Sequence, residues 1–526
     1  MPSSSNVAKL EDSKAHIANR YPSFANELFS FLERDQSTIC WAKKWQHHLS
    51  AMRIAPSNSI TNQFDISLEI PLLIATFAGE TKLEPRILRH LDTSTELRKS
   101  NTADKDFAII VASDRRADDY VKDRKRFSYP ILTIYTDDLL NGKYAQTSLR
   151  SEIAKLMRSM NHFDYSSEIR EAADFFGRVD DIEALSALAR SGQSVGVFGL
   201  RRAGKTSLLH RVDATLREKG VESIYVELNA LADADHLCEA LVESTAQLLR
   251  RRGGQVPKNS EMLNRNFTIR TAKTVRRRWV YEMDALLKQI DSDVVVLLDE
   301  TDLANEEAVD SDSSERTERQ EMNRVLQQLR GVIQIRNKRS ETRLSFLAAG
   351  VAASILTTSI RFGRDNQLFG FASARPLGPM NRDEMRQMVR VLGKRSGLRF
   401  DGYELFESLF AEYGGHPHLT RQACARVAED VHDRQPDEVP YHVTLQDLEH
   451  VYASAADGSP AQSAWETFVS FERWYPDESE QIIQLIRHGE APTLDLIPHA
   501  VGFGICDAQG QLRLGALKRD VRRGLG

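Results

Sequence analysis

The stretch Gly199-Leu200-Arg201-Arg202-Ala203-Gly204-Lys205-Thr206 constrains this chain more than any other part of it. It fits G-x-x-x-x-G-K-[ST] in full, between an apolar run, Ser194 to Phe198, and a helical run, Ser207 to Val212. In the order strand, loop, helix, the glycines let the backbone curl until consecutive amides face one point. The start of the helix adds favourable dipole potential there, so the point suits phosphate oxygens. Lys205 is spaced to reach the outer phosphates of a nucleoside triphosphate, and the Thr206 hydroxyl to ligate Mg²⁺. Gly199, Arg202, Ala203, Gly204, Lys205, Thr206 and Ser207 are the expected nucleotide contacts.

A second motif completes this chemistry. Val294-Val295-Val296-Leu297-Leu298 reads as a strand buried on both faces, and it carries Asp299-Glu300 to its C-terminal edge. Ligands of open α/β sheets sit at that edge. Asp299 is the expected Mg²⁺ holder and Glu300 the group that polarises an attacking water. With Lys205 they form the expected catalytic set. Asp302 follows in the same acidic turn, as a supporting or a solvated residue.

At roughly 150 residues per domain, 526 residues predict three or four domains. Residues 1–57 read as a helical segment, from the spacing of Ile17, Tyr21, Phe24, Leu28, Phe31 and Leu32. Residues 58–165 read as a smaller α/β domain with strand candidates at Phe64–Leu68, Leu72–Phe77, Phe107–Val111 and Ile131–Tyr135. Residues 166–380 form the expected parallel-sheet core, 381–455 a helical lid, and 456–526 helices followed by a hairpin, the outline of a winged helix. The polar stretch Asn305 to Arg319 reads as a mobile loop. A formal net charge of −5 excludes a wholly basic nucleic-acid coat. Two local basic runs, Arg250-Arg251-Arg252 and Arg276-Arg277-Arg278, leave nucleic acid or another anion as a candidate partner. No run approaches the ~20 apolar residues of a membrane helix. MPSSSNVAKLEDSK has no apolar core, so a cytoplasmic protein without a secretory leader is expected. Cys40, Cys238, Cys424 and Cys506 stand too far apart for a CxxC pair and are expected to be reduced structural thiols.

Further pieces stand around the two motifs. Phe175-Phe176-Gly177-Arg178 precedes the loop, Ala348-Ala349-Gly350 ends the last core strand, and Pro376-Leu377-Gly378-Pro379-Met380-Asn381-Arg382-Asp383-Glu384 leads to Gly414-Gly415-His416-Pro417. In this order the motifs resemble the prokaryotic AAA+/STAND P-loop ATPases and the neighbouring archaeal-type and origin-recognition-like ATPases, over roughly 175–526. The resemblance implies an ATP- and Mg²⁺-dependent switch with a helical lid and a winged helix, acting by self-association or on a partner protein in signalling or antiviral defence. It also implies nucleotide contacts at Gly177, Arg178, His416 and Pro417. Relatives often carry a polar sensor where this chain has Ala348-Ala349-Gly350, so slow hydrolysis is expected. Arg361, Arg364 and Arg375 lie where a trans-acting arginine would project. The alternative within the same resemblance is an ATP-dependent DNA-binding loader that uses the winged helix.

In residues 58–165 the pattern Asp65…Glu80-Thr81-Lys82 resembles the restriction-endonuclease-like fold. That resemblance implies Mg²⁺ at Asp65 and Glu80, with Lys82 beside them, in an ATP-regulated nuclease. The remaining alternatives are an inactive sensing domain of that fold and an unrelated α/β domain.

Overall fold

The computed structural model describes residues 14–519, apart from 47–48, 77–83, 89, 94–96, 98–101, 122–128, 165–168, 170–173, 258–259, 261, 264–271, 307–312, 436–437 and 455–457. The chain divides into two compact units. The first comprises Met1–Ser166, Arg386–Phe406 and Arg421–Ala453; the second comprises Ser167–Met385, Glu407–Thr420 and Ser454–Gly526. The stretch expected to be one lid, 381–455, is therefore shared between the units. Among the described residues, no helix is long and apolar enough to cross a membrane.

In unit one, helix α1 (Ala25–Glu33) buries Ala25, Leu28, Phe31 and Leu32 on one stripe. The helical expectation for residues 1–57 fails beyond it. Strands β1 (Thr38–Gln46) and β2 (Leu49–Ala55) form an antiparallel pair. The reason is visible in β2, whose side chains alternate between two cores. Met52 and Ile54 join one apolar cluster, and Leu49 and Ala51 join the other. The pattern continues through β3 (Ile70–Ala75), β4 (Ala108–Ala112) and β5 (Ile131–Tyr135). Leu72, Ile74, Ile109, Val111 and Ile134 face the first cluster, while Leu73, Ile110 and Ile131 face the second. The sheet order is β1-β2-β3-β4-β5, antiparallel through β3 and parallel from β3 to β5.

The expected strand at Phe64–Leu68 is instead the end of a helix. Ser57 caps α2 (Asn58–Phe64) by accepting the Ile60 amide at 3.4 Å. Asp65 closes that helix at φ 58°. Pro56-Ser57 thus leads directly into a helix. Helix α3 (Leu149–Arg158) comes after β5 in the chain.

Unit two is built on a parallel sheet. Its elements in chain order are α4 (Val179–Arg190), β6 (Val195–Phe198), α5 (Lys205–Glu218), β7 (Glu222–Glu227), α6 (Ala234–Arg251), α7 (Ala272–Leu287), β8 (Val294–Asp299), α8 (Ser313–Arg339) and β9 (Leu344–Gly350). The short antiparallel pair β10 (Ile360–Arg361) and β11 (Arg364–Asp365) precedes β12 (Ser373–Pro376). The sheet order is β12-β6-β9-β8-β7, and every pairing is parallel. Every residue of β6, β8 and β9 is buried, as strands covered on both faces require. Val195, Val197, Val295, Leu297 and Leu347 pack on one face against Leu208, Leu209 and Val212 of α5.

The expected mobile loop Asn305–Arg319 is mostly overturned where it is described: α8 begins at Ser313 and runs 27 residues. Beyond the sheet, α9 (Arg382–Arg395), α10 (Tyr403–Tyr413), α11 (Pro417–Arg434) and α12 (Leu445–Ala453) are helical, as expected of 381–455. The C-terminal part carries α13 (Pro460–Glu472), α14 (Pro476–His488) and α15 (Pro498–Gly502). The hairpin expected after them is reduced, among the described residues, to a single antiparallel bridge, Cys506 to Leu512.

Candidate functional site

Strands β6 and β8 flank β9, with Phe198 opposite Gly350 and Leu298 opposite Ala348. Their C-terminal ends reach one edge of the sheet, two strand spacings or about 10 Å apart. The glycine-rich loop leaves β6 at this edge, and Asp299 ends β8 at it. Gly199 admits no side chain, because a Cβ would come within 2.7 Å of the Leu377 carbonyl oxygen. Gly204 has open space around it, but its φ of +94° at the N-cap of α5 favours glycine.

Lys205 is buried, and its Nζ donates to the carbonyls of Gly199 at 3.1 Å and Leu200 at 2.9 Å. Burial pulls its pKa down, and the charges of Asp302, Glu300 and Asp299 oppose that shift. The lysine and the acidic turn therefore share one electrostatic site. Asp299 is 1% exposed. Its Oδ1 accepts the Glu300 amide at 2.9 Å, and its Oδ2 accepts the Tyr225 hydroxyl at 2.9 Å. Tyr225 comes from β7 and stacks on His210 of α5 at a centroid distance of 5.0 Å. No motif points to it, since it lies on a neighbouring strand at no diagnostic spacing. Glu300 sits at φ 54°, and burial raises its pKa against the pull of Lys205. Ser207, an expected contact, accepts the Ile169 amide at 2.9 Å through its hydroxyl.

Asp302 is neither solvated nor idle. Its carboxylate accepts the amides of Val351 at 2.8 Å and Ala352 at 2.7 Å, just past β9. Thr301 donates to the Ala349 carbonyl at 3.0 Å. A Cβ on Gly350 would lie 2.8 Å from the Thr301 Oγ1 and 2.9 Å from the Asp302 Oδ1. The small residues Ala348-Ala349-Gly350 let the acidic turn lie directly against the end of β9.

The Gly177-Arg178 segment is tied to the start of α9. Glu384 accepts the Arg178 amide at 2.8 Å through Oε1 and the Asn381 amide at 2.9 Å through Oε2. Gly177 has φ +67°, and a Cβ there would overlap the same Glu384 carboxylate. The Arg178 side chain is largely buried, with Asp181 at 3.5 Å from Nη1. Among the described residues its Nη2 has no hydrogen-bond partner. Burial lowers its pKa.

His416 lies beside the glycine-rich loop, but its bond is to protein. Its Nε2 stands 3.1 Å from the Arg201 carbonyl, so that nitrogen carries the proton, and Nδ1 accepts the Leu419 amide at 3.4 Å. Pro417 opens α11, a first-turn position that needs no amide proton. Arg202 Nη1 meets His418 Nε2 at 2.9 Å. The Gly-Gly-His-Pro turn thus holds the loop backbone from outside.

Other candidates separate. Arg361 is buried against Asn305 and donates to the Glu306 carbonyl at 3.2 Å, so it does not project for a trans role. Arg364 and Arg375 lie on β11 and β12. Arg276 is paired with Asp235 at 2.5 Å and Glu321 at 2.8 Å, which takes it out of the expected basic face. In unit one, Asp65 is no strand-end ligand. It caps α2, its side chain is 65% exposed, and Arg399 lies 4.0 Å away. Glu80 and Lys82 lie outside the described residues. Among the described residues, no group of three His, Cys, Asp or Glu side chains is placed to hold a metal ion.

No family model and no curated protein matches the chain. Among solved structures it is similar to the Walker-type ATPase of Pyrococcus abyssi, at 16% identity and a TM-score of 0.41, over 69% of this chain and 93% of that one. It is also similar to the Aeropyrum pernix ORC1 protein solved in complex with DNA, at 15% identity and a TM-score of 0.35, over 65% of this chain and 79% of that one. A third is Cdc6p of Pyrobaculum aerophilum, at 12% identity and a TM-score of 0.36, over 69% of this chain and 96% of that one. Likenesses this partial do not bear on what the chain does, which rests on its own geometry: a glycine-rich loop, a buried lysine and three carboxylates at one edge of a parallel sheet.

Proposed function

We propose that unit two binds ATP with Mg²⁺ and hydrolyses it, as a switch of the AAA+/STAND type. The carrying observation is Lys205, buried at the head of α5 and balanced by Asp299, Glu300 and Asp302. A buried ammonium at the loop, in the field of three nearby carboxylates, suits a triphosphate with its metal. Thr206 and Asp299 would hold Mg²⁺, which supplies charge neutralisation at the phosphates. The Tyr225 hydroxyl keeps Asp299 oriented. Glu300, its pKa raised by burial, suits a base that takes a proton from water. The Arg178 Nη2, unpartnered among the described residues, is a further donor for nucleotide oxygens. His416 and Pro417 act on the loop rather than on the nucleotide. The test is calorimetric binding of ATP with Mg²⁺, and phosphate release, by the full chain and by Lys205→Ala. The variant should lose roughly a hundredfold in affinity, the scale of a hydrogen bond to a charged group. A wild type without affinity for ATP refutes the proposal.

The switch reading gives unit one a regulated role in signalling or defence, with self-association or a partner protein as output. An ATP-regulated nuclease would need Asp65 near Glu80 and Lys82. Asp65 closes α2 with an exposed side chain and ends no strand. This weighs toward a sensing or docking unit. The DNA-binding alternative draws on the three helices α13–α15 with the bridge after them. Salt-sensitive, ATP-dependent binding of duplex DNA that is lost on deleting 456–526 would support it.

A further inference from the structure

Three residues just past β9 are held by side chains from two other places. The Val351 and Ala352 amides go to the Asp302 carboxylate, and Asn305 Nδ2 donates to the Ala352 carbonyl at 3.2 Å. The Tyr475 hydroxyl donates to the Val351 carbonyl at 3.0 Å and accepts the Ala353 amide at 2.9 Å. Tyr475 stands at the head of α14, and its ring stacks on Phe471 at 4.9 Å and on His499 at 4.2 Å. It is therefore fixed to α13 and α15 at the same time. The adjoining residue makes a second link. Arg319 donates to the Asp302 carbonyl at 2.9 Å, and its guanidinium lies 5.9 Å from the centre of the Trp474 ring. Two consecutive residues of the C-terminal segment thus lead by separate routes to one residue of the acidic turn.

We propose that Tyr475 is a positioning residue for ATP turnover, coupling helices α13–α15 to the acidic turn through Asp302. The inference rests on the ATPase reading above and deepens it. Asp302 is two residues from Glu300, and its carboxylate is anchored only as well as the 351–353 backbone is. That backbone depends on the Tyr475 hydroxyl for one donor and one acceptor. A shift of α13–α15, whatever those helices bind, moves the anchor and with it the set of Glu300. Nucleotide affinity, set by the loop amides and Lys205, is a separate matter.

The experiment compares wild type, Tyr475→Phe, Asp302→Asn and the double variant in the full chain, reading ATP affinity, kcat and thermal midpoint. Tyr475→Phe keeps the ring stack and removes only the hydroxyl. The expected result for Tyr475→Phe is a kcat about tenfold lower, with ATP affinity within about twofold of wild type and a much smaller effect of the same change in the Asp302→Asn background. An unchanged kcat, fully additive effects, or parallel losses of affinity and thermal midpoint overturn the coupling and leave the ATPase reading standing. A wild type that binds no ATP overturns both.

Discussion

Acid should weaken unit two through one side chain, His416. It is 3% exposed, its Nε2 proton is committed to the Arg201 carbonyl, and its Nδ1 already accepts the Leu419 amide. A second proton would have to sit on Nδ1 and break that last bond. Burial, with His418, Lys205 and Arg178 adding positive charge, pushes its pKa down to about 3. The unfolded chain takes up this proton near pH ~6.5, well before the folded chain does. Stability is therefore full above about pH 6.5 and falls as pH drops toward 3. Each pH unit in that window costs about 1.4 kcal/mol, so moving from about pH 7 to about pH 5 removes about 2 kcal/mol. The assay is urea unfolding at both pH values for wild type and His416→Gln, whose amide can still donate to the Arg201 carbonyl. Other titrating groups act equally in both proteins. The wild type should lose about 2 kcal/mol more than the variant on acidification. Equal losses, or a His416 ring that titrates near pH ~6.5 by NMR, would refute the reasoning.

Glu300→Gln should bind ATP as wild type does and turn over about a hundredfold more slowly, of the order expected when a general base is removed; normal phosphate release by this variant would exclude Glu300 as the base. Tyr225→Phe leaves Asp299 Oδ2 without its donor, so a higher Mg²⁺ requirement at unchanged stability is expected in a metal titration of the ATPase rate. Gly177→Ala places a methyl against Glu384 and forces alanine into φ +67°, so unit two should lose about 1–3 kcal/mol in thermal or urea melts. A wild-type melting profile would count against the Glu384 tether.

Whatever depends on strong local patterns is legible in the residues alone. The loop at Gly199–Thr206 and the run ending in Asp299-Glu300 are continuous segments, and the all-apolar strands around them are long enough to identify by composition. Residues 38–55 resist such reading because a clear helical stripe just before them sets the expectation. β2 carries apolar residues on both faces and so hides its period of two. Asp65 falls in the wrong element because a short capped helix and a short strand look alike over so few residues. Contacts made across the fold leave no trace in spacing. Tyr225 reaches Asp299 from the next strand, and Tyr475 reaches Val351 from 124 residues away. His416 stands out in its motif, yet its true partner, a main-chain oxygen, has no sequence signature.

The two hydrogen bonds from Lys205 to the Gly199 and Leu200 carbonyls have a thermodynamic sequel. On the ATPase reading proposed above, an arriving phosphate would compete with oxygens that the loop itself supplies. The affinity would then be a difference between two sets of contacts of similar kind, smaller than either alone. Departure is eased by the same bonds, since the lysine has somewhere to return. The lysine's net contribution would then be smaller than the strength of its contact with a phosphate alone.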